Sequence, residues 1–203
     1  MIPSYVYSEI TPNPNTMKFV ADRMIVEGSY EFIEPEEVTG ITLLERLYKF
    51  PFVDAIFISG NFIAISKNDL VEWDDVTGEL RTYIQDYLKE HQWVMEPRKE
   101  QPSEDKTERG KQEDHKDVQL NREELSEMET KIVDLLDEYV KPAVEQDGGA
   151  ILFKHFEPSS GKLTVQMKGA CNGCPSSTVT LKSGIEQLFS KMLPEVKEVV
   201  AEE

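Results

Sequence analysis

Residues 162–175 read KLTVQMKGACNGCP. Over Lys162–Lys168 the apolar side chains Leu163, Val165 and Met167 alternate with polar ones, the period of a strand with one buried face. Gly169 to Cys174 is then a loop, and Pro175 suits the first turn of a helix, where its missing N–H leaves no partner unsatisfied. That helix carries Val179, Ile185, Leu188, Phe189 and Met192, Pro194 stops it, and Val196–Val200 is a last strand. Upstream, Ala150–Phe156 is a second strand joined through Glu157-Pro158-Ser159-Ser160-Gly161, and Asp147-Gly148-Gly149 is a tight turn before it. Before the turn, Met128, Ile132, Leu135, Leu136 and Tyr139 form the stripe of a helix capped by Asn121, with Glu123 and Glu124 in its first turn and Pro142 near its end. The order helix, strand, strand, helix, strand gives a small α+β sandwich over residues 119–203.

The composition changes sharply once. From Glu96 to Asp117 the chain reads EPRKEQPSEDKTERGKQEDHKD, with no large apolar residue and no apolar stripe. Such a stretch buries too little to offset the entropy of ordering. Residues 96–118 are therefore expected to be a flexible charged linker, spanning on the order of 25 Å as a coil, with the domains on either side moving independently.

Residues 1–95 form the other domain. The turn-rich Thr11-Pro12-Asn13-Pro14-Asn15 leads into a strand, Thr16–Val20, and Tyr30–Phe32 is another. Leu43, Leu44 and Leu47 share one face of a helix from Thr42 to Tyr48, ended by Pro51. Phe52–Ser59 and Phe62–Ser66 are strands joined by Gly60-Asn61, a two-residue hairpin loop in which a leading glycine suits a II′ turn. Val76–Trp93 is an amphipathic helix with Leu80, Tyr83, Ile84, Tyr87 and Leu88 on one side. The expected architecture is α+β: two small α/β sandwich domains joined by the charged linker.

The chain has two cysteines, both in the 162–175 stretch. Two thiols three residues apart, in a turn with Gly173, can face one metal. The N-terminus of the following helix favours the thiolate form, and thiolates select iron–sulfur clusters, zinc or Cu(I). Iron–sulfur clusters of the common types take four thiolates, so two chains facing each other complete the set. Among His91, His115 and His155, only His155 falls on a strand that could neighbour the loop; the other two read as surface residues. The main rival is a thioredoxin-like thiol–disulfide oxidoreductase, which also sets CxxC between strand and helix, but here the motif comes late, with one helix and one strand after it. Two buried structural cysteines are the third alternative, weakened by the glycines and the polarity of the loop. Trp73 and Trp93, bracketing the last helix of the first domain, read as core or partner surface, and the scattered methionines as packing.

The net charge of −17 and a pI near 4.6 make nucleic acid and anionic membrane poor partners. No apolar run approaches the roughly 20 residues of a membrane span, and the N-terminus lacks the marks of a secretory or transit peptide. The expected compartment is a bacterial cytoplasm or, alternatively, a mitochondrial matrix after processing.

Lys141-Pro142-Ala143-Val144-Glu145-Gln146-Asp147-Gly148-Gly149, followed by Gly169 through Ser177, resembles the NifU-like C-terminal domain. Thr11-Pro12-Asn13-Pro14-Asn15-Thr16-Met17-Lys18-Phe19 resembles the N-terminal domain of the Nfu proteins, and the order of the two matches that family. The resemblance implies a scaffold or carrier, not an enzyme, that holds an iron–sulfur cluster on Cys171 and Cys174. It implies [4Fe–4S] in preference to [2Fe–2S], bridged between two subunits of a homodimer. The carrier would receive its cluster from upstream assembly proteins and pass it to apo-protein clients. The N-terminal domain would serve partner contacts.

Overall fold

The computed structural model describes residues 3–96, 125–170 and 175–202; the linker expected over 96–118 lies almost wholly outside them. The chain is α+β, with two domains.

In the first domain five strands, β1 (Val6–Ile10), β2 (Thr16–Ala21), β3 (Ser29–Phe32), β4 (Val53–Ser59) and β5 (Phe62–Lys67), form one antiparallel sheet in the order β1-β2-β5-β4-β3. Ser59 pairs with Phe62, and Gly60 at φ +55° makes the two-residue loop between them. The strand period sorts the side chains. Met17, Phe19, Ala21, Ile56, Ile58, Ile63 and Ile65 enter a core with Leu43, Leu44 and Leu47 of α1 (Thr42–Leu47) and Leu80, Ile84 and Leu88 of α2 (Trp73–Glu90). The opposite face carries Lys18, Val20, Phe57, Phe62 and Ala64, and it too is buried.

Helix α2 begins three residues before the expected Val76, because Asp74 and Asp75 favour its first turn. Arg23 Nη2 donates to the Leu88 and His91 carbonyls at its other end. Strand β1 was not anticipated: it is an edge strand, with only Val6 buried and Ile10 87% exposed, so the alternation is faint.

In the second domain α3 (Glu127–Leu135) starts at Ser126, not at Asn121, which lies outside the described residues with Glu123 and Glu124. Glu129 N–H donates to Ser126 Oγ and Ser126 N–H to Glu129 Oε2, a reciprocal cap. The helix does not stop near Pro142. A π turn over Leu136–Val140 carries the chain into α4 (Lys141–Gln146), loosening the backbone just where the proline ring would crowd a regular helix. The buried stripe is Ile132, Leu136, Val140 and Val144, while Tyr139, expected in it, is 48% exposed.

Strands β6 (Gly149–Glu157) and β7 (Lys162–Gly169) pair antiparallel, and β8 (Glu198–Glu202) lies parallel to β7, the arrangement reached by a crossover through α5 (Pro175–Met192). The last strand sits two residues later than expected, because Val196 turns inward before it starts. Helices and sheet share one core, in which Phe153, Val165, Ile185, Phe189 and Val199 meet.

Each domain has its own core, yet the two are in contact. Ala150 of β6 packs with Val20, Phe57, Phe62 and Ala64 on the second face of the first sheet. The expectation that the domains move independently rested on the linker composition and left this covered face out of account.

Candidate metal centre

Cys171 and Cys174 lie between the end of β7 and the start of α5, outside the described residues. The described main chain at the base of that loop is closely held. Gly169 has φ +70°, a conformation that glycine adopts freely. A Cβ placed there would lie 2.7 Å from the Gly148 carbonyl oxygen and 2.7 Å from Phe57 Cδ1, so no other residue allows β7 to pass between the turn and the first domain. Ala170 N–H donates to Gly148 O at 3.2 Å, joining the loop base to the Asp147–Gly149 turn, where Gly148 has φ +83°.

The first domain reaches the same place. Asn13 Nδ2 donates to the Ala170 carbonyl at 3.4 Å, Gly169 N–H donates to Glu31 Oε1 at 2.8 Å, and Lys18 Nζ donates to the Glu145 and Gln146 carbonyls at 2.9 and 3.2 Å. Those carbonyls end α4, where a cation complements the helix dipole. Lys18 is 7% exposed, pairs with Glu9 Oε2 at 3.3 Å and sits 4.6 Å from the centre of the Phe62 ring. The Thr11–Asn15 segment, read above as a turn into a strand, is a tightly folded loop. Thr11 Oγ1 accepts from Asn13 N–H, Asn13 Oδ1 accepts from Asn15 N–H, and Trp73 Nε1 donates to the Pro14 carbonyl. Trp73 thus serves this loop. The composition of the segment pointed only to a turn, and its place in the family motif was the one sign of a further role.

His155 is not brought to the loop. It pairs with Thr164 while Gly149 pairs with Gly169 at the loop end, so it stands six residues along β6, about 20 Å away. His91 stacks on Tyr87 with ring centres 4.1 Å apart at the end of α2, and His115 lies outside the described residues. Among the described residues no group of three or more His, Cys, Asp or Glu side chains is arranged to hold a metal ion. The acid–base groups with displaced pKa values are elsewhere: burial pushes the Tyr48 and Tyr87 phenols up, and the hydrogen bonds from Ser126 hold the Glu129 carboxyl down.

Both domains match known families. Residues 132–200 match the NifU-like domain family, and residues 6–91 match the family described as scaffold protein Nfu/NifU N terminal. A NifU-like protein of Schizosaccharomyces pombe is 31% identical over 199 residues, covering 97% of this chain and 72% of that protein. NifU-like protein 4, mitochondrial, of Arabidopsis thaliana is 32% identical, covering 98% of this chain and 66% of its own length. The human NFU1 iron-sulfur cluster scaffold homolog, mitochondrial, is 29% identical, covering 96% and 70%. The chain belongs to the Nfu family of iron–sulfur cluster scaffold proteins. It spans about two thirds of the length of these relatives.

Proposed function

We propose that this protein carries a [4Fe–4S] cluster as cargo, held by Cys171 and Cys174 of two chains, and hands it to apo-proteins. The observation that carries this reading is that the only two cysteines of the chain stand three apart in one loop between β7 and α5. The donor set fits the cargo, since thiolates are the ligands of iron–sulfur clusters, and the missing half comes from a second copy across a two-fold axis. A cluster held by two ligands per chain is open to an incoming acceptor thiolate, which suits a carrier better than an electron-transfer protein. A [2Fe–2S] cluster would use the same four thiolates.

The thioredoxin-like alternative fares poorly on the fold. Its motif needs a longer βαβ surround, and here an antiparallel hairpin, β6–β7, leads into the loop. The partners of the carrier are upstream assembly proteins and apo-clients; the −17 charge disfavours nucleic acid. The Arabidopsis and human relatives carry the word mitochondrial in their names, which favours the matrix alternative over the bacterial cytoplasm. Among the described residues no helix is long and apolar enough to cross a membrane.

The test is anaerobic reconstitution followed by iron and sulfide analysis, Mössbauer spectroscopy and sedimentation. The expected result is a diamagnetic [4Fe–4S] signature on a dimer, with four irons for each pair of chains. A cluster on a strict monomer would require further ligands and overturn the bridged reading.

A further inference from the structure

Two motifs take no part in the chemistry of the thiols: Thr11–Asn15 with the Lys18 that follows, and Asp147–Gly149. They meet at the base of the cysteine loop. Asn13 uses both ends of its amide there. Its Oδ1 accepts from Asn15 N–H at 3.0 Å and closes its own loop, while its Nδ2 crosses to the carbonyl of Ala170, the residue before Cys171. Ala170 N–H is bound in turn to Gly148 O, and the Gln146 carbonyl, two residues earlier, accepts from Lys18. The ring of bonds therefore runs from the first domain to the loop base, through the turn, to the end of α4 and back.

The anchor in the first domain is firm. Lys67 N–H donates to the Asn15 carbonyl at 2.8 Å, the Thr16 and Ser66 hydroxyls are 2.8 Å apart, and Trp73 donates to the Pro14 carbonyl at 3.0 Å. On the other side Ala170 is 2% exposed. A loop pinned in this way needs no bond to Ala170 for its own stability, and its surplus donor fixes the main chain that leads into the first thiol.

We propose that Asn13 and Lys18 are positioning residues for the cysteine loop, holding its base from the opposite domain. The inference deepens the reading of Cys171 and Cys174 as cluster thiolates and rests on it. The seat of the first domain and the hold on the cargo are then coupled, for lifting the domain frees the residue next to Cys171.

The experiment uses the full chain and two variants. Asn13→Asp keeps an oxygen for Asn15 N–H and loses the donor to Ala170, and it leaves both cores untouched. Lys18→Met keeps the stem over Phe62 and loses the ammonium. In the reduced, metal-free protein, alkylation of Cys171 and Cys174 by iodoacetamide, read by peptide mass spectrometry, should run about fivefold faster in each variant than in the wild type, the opening expected from one lost hydrogen bond. Circular dichroism should show the wild-type fold. After reconstitution, Asn13→Asp should hold the same iron per chain and release it faster to bathophenanthroline. Wild-type alkylation rates in folded Asn13→Asp would overturn the proposal, and should Lys18→Met not fold, Asn13→Asp decides alone. Faster alkylation in the variants, with no cluster taken up even by the wild type, would uphold the positioning role and overturn the cluster reading instead.

Discussion

The ammonium of Lys18 donates to the carbonyl of Glu145 at 2.9 Å, across 127 residues of chain and from one domain to the other. Loss of that charge strips the last turn of α4 of its partner at a buried position. Lys18→Met should lower stability by about 2 kcal/mol, the usual range for hydrogen bonds to a charged group. Urea unfolding followed by fluorescence measures it, and an unchanged midpoint would contradict the capping role.

Gly169 is the second place where the fold leaves no choice. At φ +70°, with a Cβ position 2.7 Å from both the Gly148 oxygen and Phe57, an added methyl is strained and crowded together. Gly169→Ala should cost about 3 kcal/mol, seen as a lower thermal midpoint. Phe57→Ala in the same chain should recover part of the loss if the crowding is real.

Cys171→Ser and Cys174→Ser should each abolish stable cluster binding while the circular dichroism of the metal-free protein stays that of the wild type. Iron analysis after gel filtration gives the answer. A serine variant that keeps a full cluster would remove that cysteine from the ligand set.

The metal-free, reduced protein should not reduce insulin disulfides above the background of free thiols. Turbidity develops quickly with a thioredoxin-like dithiol, and rapid development here would bring the oxidoreductase reading forward.

The cap of α3 gives a pH-dependent expectation. Hydrogen bonds from Ser126 hold the Glu129 carboxyl below its ordinary range. A depressed folded pKa means that the stabilisation is present above the ordinary carboxylate value and lost as pH falls through the folded value. Ser126→Ala should therefore cost about 1 kcal/mol near neutrality, and the difference should narrow in acid, where only the pH-independent bond from Glu129 N–H to Ser126 Oγ still separates the two. Titration of Glu129 by NMR should show its pKa rising in the variant.

Elements with a strong local pattern were legible from the sequence. The Gly60-Asn61 hairpin showed because Ile56, Ile58, Ile63 and Ile65 alternate on both sides of it. The β7–loop–α5 unit showed because a period-two run meets Pro175. Edge strand β1 did not, since Ile10 faces solvent and blurs the alternation. The helix through Leu136–Val140 did not, since Pro142 reads as a stop unless a π turn absorbs it. The thiols could be proposed as ligands from the sequence. Their surroundings were not legible, because the bond from Asn13 to Ala170 joins residues 157 apart and leaves no periodic trace. His155 could be set aside only once the register was known: Gly149, not His155, pairs with Gly169 at the loop end.

The contact between the domains is made by small groups. Ala150, Ala170, Gly148 and Gly169 supply one side, and Val20, Phe57, Phe62 and Ala64 meet them from the other, with the bonds from Asn13, Lys18 and Glu31 beside them. Two separate proteins would find such a patch only by diffusion, at their cellular dilution. Being parts of one chain, they meet instead at a local concentration on the order of millimolar. The covalent link thus favours the joint by mass action, whatever its intrinsic strength. A single protease nick between residues 97 and 124 would remove that advantage without cutting into either core.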